Sequence, residues 1–370
     1  MSDKSKYWLD AIHEIATEQA FRIMNVCGGH ERTISLAGIR SLLPKSIELI
    51  PGPGCPVCIC PEEDIYQAMQ LALHENITLL AFGDMLRVPV NTAKNQPRSL
   101  EQARSHGADV KPIASLLDVI SIARANPQRK TVFFAAGFET TMAPVAAMML
   151  EGIPDNLLLL LSGRLTWPAV AMLLQSQQAG FDALVAPGHV CATMGAEQWQ
   201  FLIDDYQLPV AVAGFETESL LAAFYSVLRQ YQGQRLFLDN CYSQVVLSAG
   251  NSCAQEYLQM AFDVVDSQWR GVGAIAVSGY QLKSSFTMHD ARLQFPDYEV
   301  QNRRRRGEMP PGCDCAKVLL GKIYPDQCRL YGRACIPQHP VGPCMVSDEG
   351  ACQIWWASGL RDNTPEQLAL

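Results

Sequence analysis

The stretch Thr131-Val-Phe-Phe-Ala-Ala-Gly-Phe-Glu-Thr-Thr141 decides the fold class. An apolar run without alternation stops at a glycine, and a carboxylate with two threonines then opens a segment of helical composition. A strand buried on both faces reads as a continuous apolar run, because each side must meet a core. The same punctuation recurs at Phe21 to Val26, Ile47 to Ile50, Ile77 to Phe82, Leu157 to Leu161, Ala183 to Ala186 and Val210 to Ala213. Amphipathic segments lie between these runs. After Pro61, the residues Ile65, Ala68, Met69, Ala72 and Leu73 share one helical face, with Glu62, Glu63 and Asp64 in the first turn. From Thr217 to about Gln230, Leu220, Leu221, Phe224, Val227 and Leu228 do the same. Alternation of strand and helix predicts an α/β protein with mostly parallel sheets. Gly-Phe-Glu-Thr occurs at 137–140 and again at 214–217, each time between a strand and a helix, which is too little to establish a duplication.

A chain of 370 residues exceeds the size of one ordinary core and predicts two or three domains. The formal charge of -8 argues against nucleic acid as the main partner. The run Arg303 to Arg306 reads as a solvated loop, the alternative being a dock for an acidic partner. No apolar core of a secretory signal stands in the first ten residues, and the leucine run 157–161 is too short to span a bilayer, so a soluble cytoplasmic protein with no membrane association is expected. From Tyr298 the composition turns to Arg, Pro, Gly and Cys, as in a small separate unit whose core needs a bound centre.

Sulfur stands out. An odd count of 13 cysteines in a reducing compartment fits metal binding, redox work and burial better than a disulfide framework, with Cys191, Cys241 and Cys253 as small core residues. The polar and sulfur groups collect where strands end, which is where open α/β sheets bind ligands. These are Cys27-Gly-Gly-His30, Gly52-Pro-Gly-Cys55-Pro-Val-Cys58, Gly83-Asp84, Gly137-Phe-Glu139-Thr140-Thr141, Ser162-Gly-Arg164, Pro187-Gly-His189 and Gly214-Phe-Glu216. Cys27 is either a thiolate with its pKa lowered at a helix N-terminus or a small residue in a glycine turn. His30 either orients that thiol or is a satisfied turn histidine. Cys55 and Cys58 stand at a spacing that closes a disulfide or chelates one metal, and Cys60 adds a third thiol. Thr140 reads as a helix N-cap, and Glu139 as a carboxylate at the helix mouth. In the tail, Cys315, Cys328, Cys335 and Cys352 form C-x12-C-x6-C-x16-C, irregular spacing that suits a [4Fe-4S] cluster, whereas structural zinc usually shows short paired hooks. Cys313 and Cys344 are spare thiols able to substitute. No phosphate-binding glycine loop of the Walker type is present.

Taken together, Met24-Asn-Val-Cys27-Gly-Gly-His30, Gly38-Ile-Arg-Ser-Leu-Leu-Pro44, Gly52-Pro-Gly-Cys-Pro-Val-Cys58, Gly137-Phe-Glu-Thr-Thr141 and the tail tetrad closely resemble the HypD family of [NiFe]-hydrogenase maturation factors, over nearly the whole chain. The resemblance implies two parallel-sheet α/β domains flanking a cleft, here residues 1–125 and 126–245. A Cys-rich region, 246–370, would carry a [4Fe-4S] cluster, with part of 246–300 packing back on the first domain. It implies a scaffold, shared with a small HypC-type chaperone, on which the Fe(CN)2CO unit is assembled. Cys27 would hold that iron with a cysteine of the partner, and His30 would stand beside it. Cys55 and Cys58 would relay electrons between the iron and a cluster on Cys315, Cys328, Cys335 and Cys352. Glu139, Thr140 and Thr141 would line the approach of a HypE-type cyanide donor. One departure is Gly29, where the family usually has threonine. Two other readings stand beside this one: an independent iron-sulfur thiol-disulfide oxidoreductase, and a zinc-stabilised binding protein with an inert CxxC.

Overall fold

A computed structural model describes residues 2–176, 180–298 and 309–360. Its strands are β1 (Phe21–Asn25), β2 (Ile47–Pro51), β3 (Ile77–Phe82), β4 (Val110–Ile113), β5 (Lys130–Gly137), β6 (Leu157–Gly163), β7 (Ala183–Pro187), β8 (Val210–Ala213), β9 (Asp239–Asn240), β10 (Phe262–Trp269) and β11 (Gly273–Leu282). Two parallel sheets result, in the orders β2-β1-β7-β8-β9 and β4-β3-β5-β6, and β10 with β11 forms an antiparallel pair. The molecule is α/β, with β7 and β8 buried at every position and β1, β3 and β5 at all but one. In β6 every residue is buried, because helices cover both faces of the sheet.

The sheets do not follow the linear partition at residue 125. β1 and β2 leave the first sheet, β3 to β6 build the whole of the second, and the chain then returns with β7 to β9 to complete the first. Apolar periodicity finds a strand but carries no information about its partner, so a division by sequence order was the natural expectation. The N-terminal helix Asp3–Ile15 accordingly packs on the helix Thr217–Gly233, whose apolar face the sequence predicts.

This interleaving gives each sheet a switch point, a place where successive connections run in opposite directions and a crevice opens beyond the strand ends. In the first sheet it lies between β1 and β7, and in the second between β3 and β5. Cys27 follows β1, His189 follows β7, Asp84 follows β3 and Glu139 follows β5. The helix Gly188–Met194 packs against the helix Glu139–Leu150, which brings the two switch points face to face.

The tail is not a separate unit. Cys315, Cys328, Cys335, Cys344 and Cys352 share one apolar core with Cys55, Cys58, Ile59, Phe138, Ala169 and Trp269. Having few apolar runs of its own, the tail buries what it has against the body. Residues 246–298 pack back as well, through β11 on β6 and on the helix Thr166–Gln175, and on residues 1–125 through Arg270 with Glu62, Arg292 with Asp64 and Tyr298 with Glu75. Arg303 to Arg306 lie outside the described residues. Among the described residues no helix is long and apolar enough to cross a membrane.

Candidate functional site

Cys27 leaves β1 in extended conformation and occupies the N-cap position of the helix Gly28–Leu36. Glycines surround it because backbones cross here. A Cβ on Gly54 would stand 2.5 Å from the Cys27 backbone nitrogen and Cα, and one on Gly28 would stand 2.5 Å from the Glu349 Cβ. A Cβ on Gly29 would meet the Phe215 ring at 2.8 Å, so here an aromatic ring packs where a threonine side chain would stand. The backbone amides of His30 and Gly29 do lower the Cys27 pKa, as expected at a helix start. Burial outweighs them, with the Glu349 carboxylate adding to it, and pushes the thiol up to about 12. A thiol that stays protonated in water is a poor nucleophile, but a metal ion displaces its proton outright. The environment therefore disfavours a free thiolate.

His30 is fully buried, with its ring near Phe215. Burial lowers its pKa to about 4, so it is neutral at physiological pH. Nε2 lies 3.0 Å from the Ala213 carbonyl oxygen and must donate to it, which leaves Nδ1 as an unprotonated acceptor with no partner among the described residues. Glu31, the next residue, went unremarked in the sequence and is the hub of the region. It accepts from Arg40 Nη2 at 2.8 Å, from Asn25 Nδ2 at 3.1 Å and from Trp355 Nε1 at 2.6 Å. Trp355 stands on the helix Ala351–Ala357, which also carries Cys352, so one carboxylate ties the Cys27 helix to the tail.

Cys55 and Cys58 are joined as a disulfide across the short helix Pro56–Ile59, whose Pro start is pre-organised for it. Both are almost wholly buried, at 2% and 0% exposure. A cavity of about 10 Å³, room for roughly one water, is lined by Cys27, Cys55, Asn25, Leu319, Glu349 and Ala351. It places the isolated thiol and the disulfide on one small space. Cys60 lies away from it and belongs to a buried network in which Ser162 Oγ donates to Asp64 at 2.6 Å. In the same network Arg164 and Arg292 pair with Asp64 at 3.5 and 2.8 Å. In the acidic first turn predicted after Pro61, Asp64 is thus half-buried and paired. Glu62 likewise faces the fully buried Arg270 at 3.7 Å.

In the tail the sulfurs of Cys315, Cys344 and Cys352 lie within 4.8 Å of one another, and Cys313 Sγ is 3.1 Å from Cys315 Sγ. Of the expected tetrad, Cys315 and Cys352 meet there. Cys328 and Cys335 join the same core, with Cys335 Sγ accepting from the Val341 amide at 3.3 Å. The spare Cys344 stands within the close group and Cys313 beside it, whereas Cys328 and Cys335 are not among its three members. Hydrogen bonding with Cys313 and then burial hold Cys315 well above the usual thiol range. This buried, soft-donor site could hold a metal centre, and binding would release the thiol protons. Cys191 is buried as expected, whereas Cys241 is half-buried and Cys253 is exposed on the helix Ser252–Ala261.

On the second sheet, Glu139 is the first residue of its helix, and the N-cap is Phe138, not Thr140. The Glu139 carboxylate turns away to cap the neighbouring helix, accepting from the Thr166 amide and hydroxyl, each at 2.7 Å. Burial raises its pKa to about 7. Thr140 and Thr141 are half-buried. Cys27 and Glu139 both raise the pKa of Cys191, behind burial, which places all three in one region between the sheets.

Two parallel sheets facing across their switch points, with a lone thiol, a buried disulfide and a group of thiols that could hold a metal, define a thiol-rich α/β protein. A sequence model described as "HypD: Hydrogenase formation hypA family" matches residues 3–359. The chain is 37% identical to the hydrogenase maturation factor HypD2 of Bradyrhizobium diazoefficiens, over 95% of this chain and 93% of that protein. It is 38% identical to HypD of Escherichia coli, over 92% and 89% of the two chains, and 35% identical to HypD of Rhodobacter capsulatus, over 92% and 90%. The chain belongs to the HypD family of hydrogenase maturation factors.

Proposed function

We propose that this protein, with a small HypC-type chaperone, is the scaffold on which the Fe(CN)2CO unit of [NiFe]-hydrogenase is assembled. The observation that carries the reading is continuity: Cys27 and Cys55 line one cavity, and Cys55 and Cys58 share a core with the tail thiols. Cys27 is the ligand this chain gives to the iron, its proton displaced as the cargo binds. The neutral His30 beside it adds no charge to compete with the metal. A [4Fe-4S] cluster on Cys315, Cys328, Cys335 and Cys352 supplies single electrons when bound. Reduction of the Cys55–Cys58 disulfide takes two electrons and two protons and yields two thiols. Oxidation of the pair returns both electrons towards the iron. Thr140 and Thr141 meet the incoming end of a HypE-type cyanide donor, and Glu139 fixes the neighbouring helix at Thr166.

A protein-disulfide oxidoreductase needs an attacking sulfur that its substrate can reach. Cys55 and Cys58 are enclosed, which speaks against that reading. The test is Cys27→Ala, co-purified anaerobically with the chaperone. The variant should lose the cyanide and carbonyl infrared bands while keeping the wild-type iron and acid-labile sulfide of the tail. Bands that persist would end the assignment of Cys27 as the iron ligand.

A further inference from the structure

A pocket on the surface over the tail thiols has no part in the assembly described above. Its volume is about 350 Å³, and Arg87, Arg98, Glu101, His339, Pro340 and Val341 are among the residues that line it. Val341 connects it to the metal centre, because the amide of this lining residue donates to Cys335 Sγ at 3.3 Å. A single residue thus separates the pocket from a cysteine of the centre. Arg87 braces the loop by donating from Nη2 to the Pro337 carbonyl at 2.5 Å. Arg329 and Arg333, on the segment between Cys328 and Cys335, are also exposed.

The charge of this face runs against that of the molecule. The chain carries a formal -8, yet the described cations here face Glu101 as the acid of the pocket lining. An acidic protein meets net repulsion from the chain as a whole and attraction at Arg87 and Arg98, which is how electrostatics selects an encounter without a large interface. Weak redox encounters use small contacts of this kind. Electron transfer slows steeply with distance, so the entry point should be the surface nearest a ligand sulfur.

We infer that the basic pocket beside Cys335 docks an acidic one-electron carrier of the ferredoxin type, which delivers electrons to the tail centre one at a time. The inference rests on the cluster reading under Proposed function. Each transfer oxidises the carrier by one electron and reduces the centre by one. Two such transfers match one disulfide.

The experiment uses the full-length protein holding its cluster, mixed in a stopped-flow instrument with a reduced acidic [2Fe-2S] ferredoxin, as wild type, as Arg98→Glu and as Arg98→Glu with Arg333→Glu. The wild-type rate should fall as salt rises. The double variant should be slower by about tenfold or more at low salt, with a flattened salt dependence. Its iron and sulfide content and its reduction by dithionite should match wild type. A cluster that dithionite reduces normally, but whose reduction by ferredoxin ignores both salt and the substitutions, overturns the docking inference alone. A preparation without sulfide overturns the cluster reading together with it.

Discussion

Glu139 illustrates how much a single buried carboxyl can report. Its folded pKa is about 7 against an ordinary 4.5, chiefly through burial, with the two bonds from Thr166 pulling the other way. Between those values the folded chain holds a proton that the unfolded chain has released. The stability contributed by the protonated carboxyl is therefore full below about pH 4.5, is lost as pH rises towards about 7, and is flat above that. The swing amounts to about 3 kcal/mol. Glu139→Gln should remove this slope, so the difference between wild-type and variant denaturant midpoints should change across that window. Parallel midpoints from pH 4.5 to 8 would refute the assignment. The sequence marked Glu139 for attention because it follows a strand. That its carboxylate caps a helix beginning at Thr166 was invisible, since nothing local links the two residues.

At the level of elements, the strand ends were legible and the ties between them were not. β3 and β8 coincide with the apolar runs that predict them. β4 escaped because it is short and carries Pro112, and β10 because Asp263, Asp266 and Gln268 break its pattern on a face open to solvent. Cys27, Cys55 and Glu139 were legible because each sits at a strand's carboxyl end. Glu31 was not, because its role depends on Trp355, which lies 324 positions away. Trp355→Phe keeps an aromatic side chain beneath Arg40 but removes the pyrrole part of the indole with its N–H, leaving a buried carboxylate oxygen short of a donor. We expect a loss of about 1.5–3 kcal/mol in denaturant unfolding. Faster amide exchange should be confined to the helix Ala351–Ala357 and the start of Gly28–Leu36. An unchanged midpoint would mean that the bond adds nothing to the tie.

For the whole molecule, the open question of sequence spacing becomes a countable one. Six tail thiols share one core, the proposed [4Fe-4S] cluster needs four, and the structure puts Cys313 and Cys344 close to Cys315. Serine substitutions at all six, one at a time, should divide them into four that lose iron and sulfide and two that retain both. The losing set expected here is Cys315, Cys328, Cys335 and Cys352, and a set containing Cys313 or Cys344 would replace it. The return of the chain to its first sheet has a consequence for biogenesis. As the ribosome delivers the protein from its N-terminus, β3 to β6 can complete their sheet as soon as they emerge, whereas β1 and β2 can pair only with each other until β7 and β8 arrive. Until Ala213 and Phe215 have been made, His30 lacks its carbonyl partner and Gly29 its aromatic cover. A nascent chain therefore carries Cys27 naked for more than half of its synthesis, and this thiol is sheltered only once translation has passed residue 215.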